Sequence, residues 1–123
     1  MMNRMNLTML TDFYELTMAN GYFENGMKDK YAYFDMFFRK IPDNGGFAIM
    51  AGVQQLIEYI KNIKFEESDI EYLSSKNIFN EQFLEYLKNF KFSCDIWAIP
   101  EGTPIFPNEP IIVVKGPVIE AQF

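Results

Sequence analysis

The chain has 123 residues, 49% of them hydrophobic and 17% aromatic, with a formal net charge of -6. That composition excludes disorder and points to one domain with a hydrophobic core, and the negative field argues against nucleic acid as a general partner. A single cysteine, Cys94, excludes an internal disulfide, and the absence of histidine means that neither a histidine triad nor a histidine zinc site can be completed within these residues.

No apolar run is long enough to span a bilayer, and residues 1 to 10, MMNRMNLTML, lack the cleavage pattern of a signal peptide. The expected location is therefore cytoplasmic, with no membrane partner. The first predicted element is a helix in TDFYELTMANGYF, residues 11 to 23. Thr11 is the expected N-cap and Asp12 a favourable first-turn carboxylate. Phe13, Leu16, Ala19 and Phe23 share one broad face, with Tyr14 and Met18 beside it. Asn25-Gly26 ends the helix.

Residues 31 to 40, YAYFDMFFRK, alternate as a strand. Ala32, Phe34, Met36 and Phe38 lie on one face, and Tyr31, Tyr33, Asp35, Phe37 and Arg39 on the other. The second face is too aromatic for plain solvent, so something is expected against each side. After a turn in PDNGG, the spacing of Ile49, Val53, Leu56, Ile57 and Ile60 predicts a helix over residues 48 to 62. Ser68 and Glu71 form a candidate capping box for the next helix. Asn80 caps another, whose stripe is Phe83, Leu84 and Leu87. Residues 92 to 99 read as a strand, with Phe92, Cys94, Ile96 and Ala98 opposite Ser93, Asp95, Trp97 and Ile99. Residues 100 to 110 are turns around a short extended piece, and IIVVKG is a strand. VIEAQF, residues 118 to 123, opens like a helix after Pro117 and stops without a cap, as a cut chain does. The sum is an α+β domain with antiparallel pairing, occupying residues 1 to 117, and residues 118 to 123 begin a connection onward.

Several residues read two ways. Asp12 is either a first-turn acid or a hydrogen-bond acceptor for a ligand. Tyr14 is either a boundary aromatic or a stacking platform for a planar ring. Arg39 is either a surface cation or a fork of donors for phosphate or carboxylate, with Lys40 the weaker neighbour. Gly45 and Gly46 make a plain turn, or bring backbone N–H groups to an anion. Asp35, Asp95 and Glu101 have no spacing that demands a metal or paired acid–base roles, and Cys94 reads as buried and inert.

TDFYELTMANGYF resembles the opening of nicotinate phosphoribosyltransferases. YFDMFFRKIPDNGGFAIMAGVQQLIEYI and EGTPIFPNEPIIVVKGPVIEAQF are similar to the family's later segments, in the same order, although the IPDNGG loop lacks the family's longer glycine run. The resemblance covers nearly the whole chain and is weakest over residues 62 to 90. It implies the N-terminal domain of a type II phosphoribosyltransferase, with helices packed on a mainly antiparallel sheet and truncated before an α/β barrel. It implies that the full-length enzyme joins nicotinate to 5-phosphoribosyl 1-pyrophosphate, yielding nicotinate mononucleotide and pyrophosphate with coupled ATP hydrolysis and Mg2+, in NAD biosynthesis. It implies a homodimer whose sites are shared between subunits. Residue by residue, it makes Tyr14 a platform for the pyridine ring, Asp12 a carboxylate at the ring edge and Arg39 a contact to the phosphates. Thr11 positions the helix, and Gly45 and Gly46 shape a loop near the subunit interface. No catalytic residue and no metal ligand is expected here, and the fragment alone is expected to be inactive. The choice of nicotinate over nicotinamide or quinolinate comes from the resemblance, not from the chemistry of these residues. The alternatives are a nicotinamide phosphoribosyltransferase-like enzyme and a stand-alone binding or dimerisation module.

Overall fold

The computed structural model describes residues 5–123; residues 1–4, part of the stretch read against a signal peptide, lie outside them. Among the described residues, two short antiparallel sheets and five α-helices make the domain: α1 (Phe13–Glu24), β1 (Tyr31–Met36), β2 (Ala48–Ile49), α2 (Val53–Asn62), α3 (Glu67–Ser75), α4 (Glu81–Lys88), β3 (Asp95–Ala98), β4 (Pro104–Ile105), β5 (Ile112–Pro117) and α5 (Val118–Gln122). The last strand takes the centre of the larger sheet, in the order β1-β5-β3, and β2 pairs with β4. The expected α+β class with antiparallel strands is the one observed.

The pleat of β1 divides its residues as their alternation predicts. Phe34 pairs with Val114, which pairs with Ile96, so an apolar row crosses the sheet on the side that faces the helices. Against that side lies the main core, centred on Leu16, Ala19, Leu73, Phe83, Leu87 and Ile119. α5 belongs to this core, because Val118, Ile119 and Ala121 are all buried. Phe123 sets its ring edge-on to both Phe65 and Phe90, with centroids 5.6 and 5.7 Å apart. A smaller core gathers Met50, Ile105, Ile111 and Ile112 under β2 and β4. The opposite row of the sheet, Tyr33–Lys115–Asp95, stays open, with Tyr31, Tyr33 and Trp97 exposed and the Lys115 ammonium 5.3 Å from the Tyr33 ring centre. Among the described residues nothing covers this second face.

Several boundaries move, each for a local reason. The helix expected over 48–62 begins at Val53, because Ala48 and Ile49 pair with Ile105 and Pro104 and Gly52 takes a left-handed φ of 104° between them. Glu101 then serves as the missing cap from another element, its carboxylate accepting from the N–H groups of Gly52 and Gln54, where the positive end of the helix favours a negative charge. The strand expected over 31–40 ends at Met36. Beyond it only isolated bonds continue, Ile111 N–H to Met36 and Asn108 N–H to Phe38, because Pro107 and Pro110 have no N–H to extend a ladder. The capping box expected at Ser68 and Glu71 lies two residues earlier, with the Asp69 carboxylate accepting from the Glu66 N–H at 2.8 Å. Asn80 caps α4 as expected, accepting from Gln82 and Phe83.

The strand expected over 92–99 is shortened to Asp95–Ala98 by its flanks. Ser93 gives both its N–H and its hydroxyl to Glu120. Cys94 lies against Gly116, where an added Cβ would stand 2.3 Å from the Cys94 sulfur. The cysteine is half-buried rather than fully buried. Burial, helped by Glu120 and Asp95, pushes its thiol up to about 11, so it stays protonated at neutral pH and its nucleophilic form is scarce. In the PDNGG turn the left-handed residues are Asp43 and Asn44, not the glycines. Both belong to the types that tolerate this region best. Gly45 is needed for space instead, since a Cβ there would meet the Ile41 side chain at 2.9 Å.

Candidate functional site

The start of α1 carries two of the three candidate residues. Asp12, not Thr11, is the N-cap residue, with an extended backbone (φ -71°, ψ 137°), yet its side chain makes no capping hydrogen bond. Its carbonyl accepts from the Glu15 N–H, which closes the first turn without the carboxylate. Thr11 gives its hydroxyl to the Glu15 carboxylate. The local consequence is a negative group at the positive end of a helix that is not consumed by the helix. Tyr14 follows in the first turn with 59% of its surface exposed. Arg39 is exposed on the segment after β1. Among the described residues no side-chain hydrogen bond or ion pair engages Asp12, Tyr14 or Arg39.

Beside this turn runs a cleft of about 730 Å³ between the helix-facing side of the sheet, the start of α1, α2 and the end of α5. Asp12 and Glu15 stand on its wall, whereas Tyr14 and Arg39 do not. Phe34, Ile96 and Val114 form its floor, and Leu56, Tyr59 and Ile60 of α2 lie over it. α2 has no fully buried residue despite its apolar stripe, because the cleft separates that stripe from the sheet. Among the described residues its charged lining on this side is acidic, with Asp12 and Glu15 and no lysine or arginine. Burial and the neighbouring Glu15 charge both raise the Tyr59 phenol above its ordinary value, so it is a proton donor throughout the neutral range. Glu15, Tyr59 and Gln122 therefore belong to the surroundings of the candidate site. One clue to them is visible in the sequence, the spacing of Thr11 and Glu15 by one helical turn. Gln122 reaches the cleft only through the packing of α5.

Among the described residues no group of three or more histidine, cysteine, aspartate or glutamate side chains is placed to hold a metal ion, and no helix is long and apolar enough to cross a membrane. Residues 9–123 match the family model described as the nicotinate phosphoribosyltransferase (NAPRTase) N-terminal domain. The chain belongs to this family. It is 43% identical over 117 residues to the Bacillus subtilis nicotinate phosphoribosyltransferase, covering 95% of this chain and 24% of that protein. It is 41% identical over 114 residues to the Mycobacterium tuberculosis nicotinate phosphoribosyltransferase pncB2, covering 93% and 24%. The crystal structure of human nicotinic acid phosphoribosyltransferase superposes with a TM-score of 0.82 at 33% identity, over 91% of this chain and 23% of that one. A putative yeast nicotinate phosphoribosyltransferase, 18% identical with a TM-score of 0.50, supports the fold alone. The chain spans about a quarter of the length of the relatives it matches. Nicotinate phosphoribosyltransferases are enzymes, and the resemblance carried by the opening, middle and closing segments is to the family that the comparison identifies.

Proposed function

We propose that this domain is the N-terminal part of a nicotinate phosphoribosyltransferase, and that the start of α1 supplies one wall of its pyridine site. The observation that carries the reading is the pair at that helix start: an exposed Tyr14 ring two residues after an Asp12 carboxylate that does no capping work. A tyrosine face gains area and ring–ring attraction from a planar pyridine, and a carboxylate at the ring edge favours the positive charge that the ring takes on as its nitrogen bonds to the sugar. The reaction is a glycosyl transfer from 5-phosphoribosyl 1-pyrophosphate to the nicotinate nitrogen, releasing pyrophosphate. Such a step needs two reactants held in line, a clamp on the leaving group and support for positive charge on the sugar.

Both substrates are anions, and the cleft beside α1 has an acidic polar lining without a basic residue. Tyr14 is exposed outside that cleft, so in this reading the ring is met on the open side of the helix start, with the Asp12 carboxylate at the cleft's edge. Arg39 is the cation assigned to the phosphates, through the forked donors of its guanidinium. Mg2+ and ATP coupling, the remaining phosphate contacts and the nicotinate carboxylate contact belong, in this reading, to the part of the enzyme outside these residues. So does the second wall of the pyridine site, which a partner subunit supplies in a homodimer. The relatives named nicotinate phosphoribosyltransferase support nicotinate over nicotinamide as the substrate.

The test is steady-state formation of nicotinate mononucleotide by the enzyme that carries this domain. Tyr14→Ala is expected to raise KM for nicotinate by roughly tenfold, the worth of a stacking contact. Arg39→Ala is expected to raise KM for 5-phosphoribosyl 1-pyrophosphate instead. Wild-type constants in both variants would remove both residues from the site.

A further inference from the structure

The last turn of α5 meets the first turn of α1 through one side chain. Gln122 donates from Nε2 to the Glu15 carbonyl at 3.0 Å, across 107 residues of sequence. Its other amide atom, Oε1, is buried and has no hydrogen-bond partner among the described residues. A buried acceptor is costly to leave unpaired, so the bond to Glu15 is what orients this amide, at the expense of its oxygen. The two ends of the link differ in firmness. α5 is locked in the core by Ile119, which is fully buried, and by Phe123 between two phenylalanine rings. The first turn of α1 has no side-chain cap from Asp12, and its local side-chain ties are the hydroxyls of Thr11, on the Glu15 carboxylate, and Thr17, on the Tyr14 carbonyl. An uncapped helix start frays unless something else holds it.

We propose that Gln122 is a positioning residue for the pyridine site, holding the Glu15 carbonyl and with it the Asp12–Tyr14 turn at a fixed distance from the end of α5. The inference rests on the reading of Asp12 and Tyr14 as ligand residues. Gln122 touches no substrate in this scheme. It acts by limiting the orientations open to the Tyr14 ring before nicotinate binds.

Gln122→Met separates this role from plain stability. Methionine keeps the length of the side chain and removes the donor and the unpaired acceptor together, so the two effects on stability oppose one another. In the enzyme that carries this domain, the expected result is a rise of roughly fivefold in KM for nicotinate, with kcat and KM for 5-phosphoribosyl 1-pyrophosphate within about twofold of wild type. The thermal midpoint stays near the wild-type value. Combining Gln122→Met with Tyr14→Ala adds nothing to the effect of Tyr14→Ala alone, as two changes acting through one contact should not add. If Tyr14→Ala raises the nicotinate KM and Gln122→Met does not, the positioning role is overturned and the site reading stands. If Gln122→Met depresses every constant together with the thermal midpoint, the residue is structural and the proposal fails. If Tyr14→Ala itself has no effect, the site reading falls and the positioning role falls with it.

Discussion

Asp12 and Asn80 occupy the same kind of position, a helix N-cap, and use it in opposite ways. The Asn80 side-chain oxygen accepts from two backbone N–H groups of α4, and the Asn80 N–H donates to the side-chain oxygen of the buried Asn20 of α1. Asp12 gives nothing to α1. Replacing Asn80 with alanine should therefore cost about 1 kcal/mol, lowering the thermal midpoint of the chain by roughly 3–6 °C. Asp12→Ala should lower the midpoint by less than Asn80→Ala does, since it removes no capping bond and loses only the attraction of an exposed carboxylate for the helix end, at the low end of about 0.3–1 kcal/mol. Thermal unfolding followed by circular dichroism separates the two, and an equal loss in both variants would mean that Asp12 caps the helix after all. The chemistry of TDFYELT was only half legible in sequence for the same reason. Thr11 and Asp12 are both good cap residues, and the choice between them was decided by Thr11 turning its hydroxyl to Glu15. The sequence offers no sign of that turn beyond the one-turn spacing.

At the scale of elements, periodicity was a sound guide to which segments are regular and a poor guide to where they stop. The alternation of β1, the stripe of α4 and the strand in IIVVKG are all present. The overextended helix at 48–62 shows the limit. Ile49 keeps helical spacing with Val53 and Leu56, but it sits in a strand because Pro104 and Ile105, some 55 residues later, are there to pair with it. Local pattern carries no information about such a partner. Gly116 illustrates the same point inside a strand. IIVVKG gives it no visible role, yet it is the place where Cys94 crosses closest to β5. Gly116→Ala puts a methyl group within 3.0 Å of the Cys94 backbone as well as its side chain, so relief needs a backbone shift. A loss of about 1–3 kcal/mol in unfolding free energy is expected, measured by urea denaturation. Cys94→Ala, combined with it, should restore only part, because the main chain of residue 94 still crowds the new methyl group; full restoration would show that the sulfur alone sets the limit.

For the molecule as a whole, the two faces of the β1-β5-β3 sheet tell different stories. One is covered by the helices and by Phe123, with the cleft left between the sheet and α2, and the other presents Tyr31, Tyr33 and Trp97 without cover among the described residues. The mixed aromatic face of β1 was readable in the sequence as a surface awaiting something, but the sequence does not say what. The site has the same character. In the proposed site Asp12 and Tyr14 supply one wall, Arg39 lies on another segment, and the cleft between α1 and α2 has an acidic charged lining. A domain so arranged can bind a pyridine only against something else, which in this account is a neighbouring subunit.

Subunit mixing tests that claim directly. Tyr14→Ala enzyme is combined with enzyme inactivated by a change outside this domain, and the purified mixed dimers are assayed for nicotinate mononucleotide formation. If the start of α1 completes the partner's site, one of the two sites in each mixed dimer is wholly wild type, and roughly half of the wild-type activity per dimer returns. Mixed dimers no more active than the Tyr14→Ala parent would contradict the account and place this domain's residues at a site within their own subunit, or at none.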